Sequence, residues 1–182
     1  ELSLLGFKSI GENVLISNKA SIYGANKISF GSNVRIDDFC ILSATGENTD
    51  FDIGNYIHIG CYTSMIGRGN IILDDFVNIS SKVAIYSSND DYSGSHMTNP
   101  MVDSKFTNVY SDSVILKKHV IIGSGSILLP GVILEKGVAI GAQSMVNRNC
   151  KEYTIYAGNP LKEIKKRKRG LLDKENEFLK KK

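Results

Sequence analysis

Two adjacent carboxylates, Asp90 and Asp91, stand in the polar run Ser88-Asn-Asp-Asp-Tyr-Ser-Gly94, and His96 follows five residues after the second. That grouping can move protons. A carboxylate stripped of water has its pKa raised and can serve as a general base. It can instead hold a neighbouring imidazole in one orientation while the ring takes the proton. Asn-Asp-Asp is also good turn chemistry, so the same residues read equally well as a solvated bend. Nearby, Tyr92 and Tyr110 could stack on or hydrogen-bond to a ligand or anchor the segment, and Asn99-Pro100 shapes it. The remaining histidines are His58 and His119. No Ser-His-Asp or Cys-His arrangement points to a covalent nucleophile.

The elements that must position these groups have an unusual period. From Leu116 an apolar residue recurs every sixth position: Leu116, Ile122, Leu128, Leu134, Ile140 and Val146. Two positions before each stands a small or β-branched residue: Val114, Val120, Ser126, Val132, Val138 and Ser144. Six fits neither the 3.6 of an α-helix nor the 2 of a two-faced strand. It fits a coil of short flat strands joined by turns, each strand sending one apolar side chain into a shared core. The period continues upstream in shifted registers. The series are Ile10 to Ile28, Phe30 to Leu42, Ile53 to Ile71, and Leu73 to Ile85, with a slip or insertion at a corner between them. An ordinary sandwich would show period-2 strands at wider spacing. The fold expected is therefore an all-β hexapeptide-repeat β-helix.

Two stretches break the period. Residues 43–52 are polar and read as a small loop, and residues 87–113 form a longer one that contains Asp90, Asp91 and His96. A long excursion inside a compact domain is usually functional. The division expected is a β-helix domain over 1–158, with the loop inserted, and a basic helical tail over 159–182. Asn159-Pro160 reads as N-cap and first residue of a helix running through Leu161, Ile164 and Arg167, with Gly170 breaking it and residues 171–182 forming a second helical piece or fraying. His58 and His119 fall at outward positions of the repeat.

The 182 residues carry a net charge of +3, and much of the excess lies in Lys162-Glu-Ile-Lys-Lys-Arg-Lys-Arg169 and Lys180-Lys-Lys182. No aromatic residues interleave with that basic run, so nucleic acid is not the expected partner. No signal peptide or span of 18 apolar residues is visible, so no membrane span is expected. The chain does not open on methionine, which leaves open whether it begins at the natural N-terminus. Cys40, Cys61 and Cys150 form no CxxC pair and are odd in number, which suggests a reducing, cytoplasmic compartment; Cys40 sits at an inward position and packs as a hydrophobe.

The last coils and the tail, Ile121-Ile-Gly-Ser-Gly-Ser-Ile-Leu-Leu-Pro-Gly-Val132, Ala139-Ile-Gly-Ala-Gln-Ser-Met-Val146 and Ile155-Tyr-Ala-Gly-Asn-Pro-Leu-Lys-Glu-Ile164, resemble the hexapeptide-repeat acyltransferases. Within them the chain looks like sugar acetyltransferases of polysaccharide clusters, near the galactoside and maltose O-acetyltransferase branch. The resemblance implies a left-handed parallel β-helix, a homotrimer, and acetyl transfer from acetyl-CoA in the groove between subunits. In the galactoside and xenobiotic branches a histidine base follows the strand that opens the long loop. Here that strand is Val83-Ala-Ile-Tyr-Ser-Ser88 and the histidine's place falls at about Asp90. Ser88-Asn-Asp-Asp-Tyr-Ser-Gly94 therefore looks like a carboxylate variant.

On this reading Asp90, Asp91, His96 and His119 are the candidate catalytic residues, and His58, Tyr92 and Asn99 are candidates for the acceptor. The resemblance selects Gly123, Ser124, Gly125, Ala142 and Ser144 for an extended pantetheine that bonds to backbone along a coil edge. Ser144 points inward by its place in the period. Lys162, Lys165, Lys166 and Arg167 are placed to meet coenzyme phosphates, or form a solvated face. The function expected is O-acetylation of a sugar, nucleotide sugar or glycan precursor, with N-acetylation of an amino sugar as the alternative and a non-catalytic scaffold as the rival class. A γ-class carbonic anhydrase would need all three histidines as zinc ligands, and separations of 38 and 23 residues do not give its pattern. No metal is expected.

Overall fold

The computed structural model describes residues 2–181. Short parallel strands stack into three faces around one apolar core. Face A contains Ser9–Ile10, Ile28–Phe30, Phe51–Ile53, Ile71–Leu73, Val114–Leu116 and Ile133–Leu134. Face B runs through Val14–Ile16, Val34–Ile36, Ile57–Ile59, Asn78–Ile79, Ile121–Ile122, Ala139–Ile140 and Thr154–Ala157. Face C has Ser21–Tyr23, Ile41–Ala44, Ser64–Gly67, Ala84–Tyr86, Ile127–Leu128 and Met145–Val146. The β-helix expected from the six-residue period is present. Its recurring apolar residues point inward, with Leu42, Ile59, Met65, Ile85, Leu116, Ile122 and Leu128 all at 0% exposure.

Every break in the period falls at one corner. From face A to B and from B to C, the inward residues keep a spacing of six throughout. From C back to A the steps are Ile22 to Phe30, Leu42 to Ile53, Met65 to Leu73, Ile85 to Leu116 and Leu128 to Leu134: 8, 11, 8, 31 and 6 residues. The coil pairs across the longest excursion without slipping, with Ile71 opposite Val114 and Leu73 opposite Leu116. A solenoid tolerates this because each strand needs only its neighbours above and below. The C-to-A corner is thus where extra chain, and with it chemistry, has been added.

The A-to-B corner is regular and aromatic. Its third residue is left-handed in successive coils: Asn33, Tyr56, Phe76 and His119 have φ between 58° and 63°. That conformation costs a residue with a β-carbon roughly 1–2 kcal/mol. Stacking offsets part of the cost here. The Tyr56 and Phe76 rings lie 4.7 Å apart and nearly parallel, and the His119 ring stacks 5.1 Å from Phe76.

The tail departs from expectation. Asn159-Pro160 is a cis peptide, and the expected helix does not start there. Lys162–Lys166 is a strand, antiparallel to Thr154–Ala157, that closes the end of face B. An open sheet edge presents a row of unpaired backbone groups, and pairing satisfies them where an isolated helix would not. The α-helix begins only after Gly170, at Leu171–Leu179. It turns back along the A-to-B corner, where Phe178 meets Tyr56 and Phe76 edge-on and Glu175 accepts hydrogen bonds from Lys118 (2.5 Å) and His119 (2.8 Å).

Candidate active site at the inserted loop

The long loop leaves and re-enters through a small antiparallel pair, Ser88–Asn89 with Tyr110–Ser111. Its tip carries a further bridge between Met97 and Thr107 and a 3-10 turn, Ser104–Phe106, capped by the Asp103 side chain. The excursion therefore has its own backbone order. A cavity of about 480 Å³ opens between it and the coil. Ser88, Asn89, Asp90, Asn99, Pro100 and Val109 line the loop side, and Ile66 and Arg68 line the coil side.

Of the acid pair, Asp90 faces this cavity and Asp91 does not line it. The Asp90 carboxylate has no hydrogen bond or ion pair within the described residues. Asp91 is committed to the loop itself: its Oδ1 accepts from the Ser93 backbone N–H at 2.7 Å and its Oδ2 contacts His96 Nδ1 at 2.9 Å. Hydrogen bonds from the Ser93 side chain, from His96 and from the Ser93 backbone hold the Asp91 carboxyl down to about 2. Asp91 is thus an acceptor that stays ionised, suited to orienting His96 rather than to taking a proton. A neutral His96 ring that donates Nδ1–H to Asp91 carries its lone pair on Nε2. The loop thus presents two groups able to take a proton, the exposed Asp90 carboxylate at the cavity and His96 held by Asp91.

The acceptor candidates separate. Asn99 lines the cavity, and its Oδ1 accepts from the Met101 N–H at 2.9 Å, the loop-shaping role expected of Asn99-Pro100. Tyr92 is 92% exposed and lies outside the cavity lining. His58 projects from face B, between Asp37 at 2.9 Å and Asn78 at 3.2 Å, away from the loop. His119 is a correction. It is stacked on Phe76 and bonded to Glu175 at the A-to-B corner, where it anchors the C-terminal helix. The three histidines occupy a face, the loop and a corner.

The coenzyme candidates also divide. Gly123, Ser124 and Gly125 form the B-to-C corner of one coil, and Ala142 sits on the same corner of the next. The coils approach so closely that a β-carbon on Gly123 would lie 2.5 Å from the Ala142 nitrogen, and Gly125 has φ of 72°. The result is a smooth edge with little side-chain cover. Ser144 is a second correction: it is buried, donates to the Gly141 carbonyl at 2.6 Å and accepts from the Gly158 N–H at 2.9 Å, so it is part of the core. Arg167 is a third. Its Nη1 donates to the carbonyls of His119, Gly137 and Val138 at 2.9, 3.1 and 3.3 Å, and burial pushes its pKa down. Lys166 donates to Thr154 Oγ1 at 3.0 Å. Of these four basic residues, Lys162 and Lys165 keep exposed ammonium groups without a partner among the described residues, now on a strand.

Sequence reasoning missed Arg68. The signal was present as a lone cation between two glycines, Gly67-Arg68-Gly69, at a period slip, but nothing in the sequence linked it to a loop about 20 residues later. Among the described residues, no cluster of three or more potential metal ligands occurs.

No protein-family model matches the chain. It is similar to a dTDP-4-amino-4,6-dideoxy-D-glucose acyltransferase of Escherichia coli, with 54% identity over 178 residues, 98% of this chain and 92% of the relative. It is also similar to the putative lipopolysaccharide biosynthesis O-acetyl transferase WbbJ of Escherichia coli K12, at 31% over 83% of this chain and 74% of the relative. Among solved structures it resembles AntD, an N-acyltransferase from Bacillus cereus. The complex of AntD with dTDP and 3-hydroxybutyryl-CoA matches with a TM-score of 0.91 at 48% identity, over 99% of this chain and 94% of AntD. A single-residue variant of AntD with dTDP-4-amino-4,6-dideoxyglucose and coenzyme A matches at a TM-score of 0.93 and 49% identity, over 100% and 95%.

Proposed function

This chain belongs to the hexapeptide-repeat sugar acyltransferases, and from that premise we propose that it transfers an acyl group from a coenzyme A thioester to the amino group of a nucleotide-linked amino sugar. The class is an acyl-CoA-dependent acyltransferase acting on a sugar. Within it, the amine replaces the hydroxyl that the sequence put first. The relative at 54% identity and AntD are both named for N-acylation or a 4-amino sugar, whereas the O-acetyl relative stands at 31%. The product is a precursor for a surface glycan.

The observation that carries the reading is Asp90, an unpartnered carboxylate facing a cavity at the loop. An amine attacks the thioester carbonyl, and the C–N bond forms as the tetrahedral oxyanion develops. The oxyanion collapses, the C–S bond breaks, and the departing thiolate takes up a proton. The nitrogen must lose a proton along the way, and on this reading Asp90 accepts it. No covalent bond to the protein is involved.

Within one protomer the loop leaves the C-to-A corner and the bare glycine edge lies on the B-to-C corner, with face C between them. That separation supports a homotrimer in which the loop of one copy meets the glycine edge of the next. Sedimentation of a fully active monomer would remove this part of the reading.

The test is direct. The purified protein is given acetyl-CoA and dTDP-4-amino-4,6-dideoxyglucose, and thiol release is followed together with the mass of the sugar product. The 3-hydroxybutyryl thioester is the second donor to compare. Amide formation with the amine, and none with the 4-hydroxy sugar, is expected. Turnover of the hydroxyl sugar alone, or of neither, rejects the proposal.

A further inference from the structure

Arg68 stands at the one corner where the coil accepts insertions, and it lines the loop cavity together with Asp90. It is the only cation in that lining, and Asp90 is the only anion. The two are not paired with each other. Arg68 is exposed, and its guanidinium has no hydrogen bond or ion pair within the described residues. An arginine left unpaired in a concave site is available to an anion from outside.

Its backbone, by contrast, is held on both sides. The Arg68 carbonyl accepts from Thr49 Oγ1 at 2.5 Å, and the adjacent Gly69 carbonyl accepts from Ser87 Oγ at 2.7 Å. The flanking glycines let the loop base close onto the corner. A β-carbon on Gly67 would fall 2.2 Å from Ser87 Oγ, and one on Gly69 would fall 2.4 Å from the Asp112 carbonyl oxygen. Gly67-Arg68-Gly69 thus seats a rigid main chain from which one long cationic side chain projects into the cavity. Pinning the backbone reduces the entropy lost when the side chain grips a ligand.

We propose that Arg68 binds the diphosphate of the nucleotide-sugar acceptor and thereby sets the amino sugar against Asp90. This rests on the acceptor assignment above. A guanidinium presents paired donors that match phosphate oxygens. The remaining lining is suited to the rest of such a molecule: Asn89 and Asn99 can bond to sugar hydroxyls, and Ile66, Pro100 and Val109 offer apolar wall to a deoxy sugar or a base. Charge is therefore distributed as the acceptor requires, with the cation toward the diphosphate and the carboxylate toward the amine. Arg68 is a positioning residue; it does not touch the reacting atoms.

Steady-state kinetics of Arg68→Met and Arg68→Lys test this, with two acceptors: the dTDP-linked amino sugar and the same amino sugar without its nucleotide. A charge-assisted contact of this kind corresponds to roughly a 10- to 100-fold change in affinity. Arg68→Met is expected to raise KM for the dTDP-sugar by that factor, to leave KM for the acyl-CoA unchanged, and to change KM for the free amino sugar less than KM for the dTDP-sugar. Arg68→Lys, which keeps the charge but not the fork, is expected to fall between. Thermal shift by dTDP, present in the native protein, is expected to disappear in Arg68→Met. If the acyl-CoA KM rises instead, the residue serves the coenzyme phosphates and the proposal is overturned. Unchanged KM and thermal shift for the dTDP ligands overturn it too, with the acceptor assignment left standing. Failure of the native protein to bind dTDP or to acylate the nucleotide sugar overturns both readings together.

Discussion

Replacing Asp90 by Asn removes one proton acceptor and almost nothing else. The side chains have the same shape, and the Asp90 carboxylate has no hydrogen bond or ion pair to lose within the described residues. It is also exposed, so stability should change by less than about 0.5 kcal/mol. Turnover should fall by about 10²–10⁴-fold, the usual contribution of a positioned general base, equivalent to roughly 3–5 kcal/mol of barrier. The donor KM should stay near its native value, because on the proposed reading Asp90 meets the acceptor amine and not the coenzyme. As pH rises, free amine accumulates without help from the protein, so the variant should recover part of the loss. Asp91→Asn makes the contrast. That carboxylate holds Ser93 and His96, so its loss should loosen the loop before it alters the chemical step. The assay is thiol release under saturating donor from pH 6 to 9, with melting temperature measured on each variant. If both Asn variants keep near-native kcat while His96→Ala abolishes it, the base is the imidazole and the role given to Asp90 is wrong.

Two further outcomes follow from the corner that anchors the tail. Burial alone would raise the Glu175 carboxyl, but the hydrogen bonds and charges of Lys118 and His119 outweigh it and hold it below its ordinary range. A depressed carboxyl stabilises above the unfolded value near 4.5 and loses that contribution as pH falls through the folded one. Limited proteolysis should therefore release the helix at Leu171–Leu179 more readily at acid pH, and Glu175→Gln should release it at neutral pH; equal resistance of both forms at all pH values would contradict the anchor. Arg167→Met should lower the melting temperature, since about 1–3 kcal/mol is lost when buried carbonyls lose a charged donor, and should leave the acyl-CoA KM unchanged. Lys162→Ala with Lys165→Ala should do the reverse, raising the acyl-CoA KM by a few fold at low salt only, because exposed charges are screened. A donor KM that follows Arg167 and ignores both lysines would return the phosphate role to Arg167.

The β-helix was legible because its rule is local. Each coil repeats one inward residue every six, and neighbouring coils read the same pattern, so periodicity alone specifies what packs on what. The place of the loop followed from the break in that period, and Asp90 and the Asp91–His96 pairing followed from closeness in sequence. Where partners are distant, the sequence was silent or misleading. Asn159-Pro160 has the composition of a helix start, yet the open edge of face B claimed Lys162–Lys166 as a strand. His119 was an outward histidine until Glu175, 56 residues on, and the Phe76 ring gave it a structural post. Arg167 read as a phosphate ligand, but three carbonyls from other coils enclose it. Arg68 stood out only as a cation between two glycines until the loop folded back over it. Repetition along the chain determined the scaffold; non-local edges and corners, where groups far apart in sequence satisfy one another's hydrogen bonds and charges, decided which side chains are left free for chemistry.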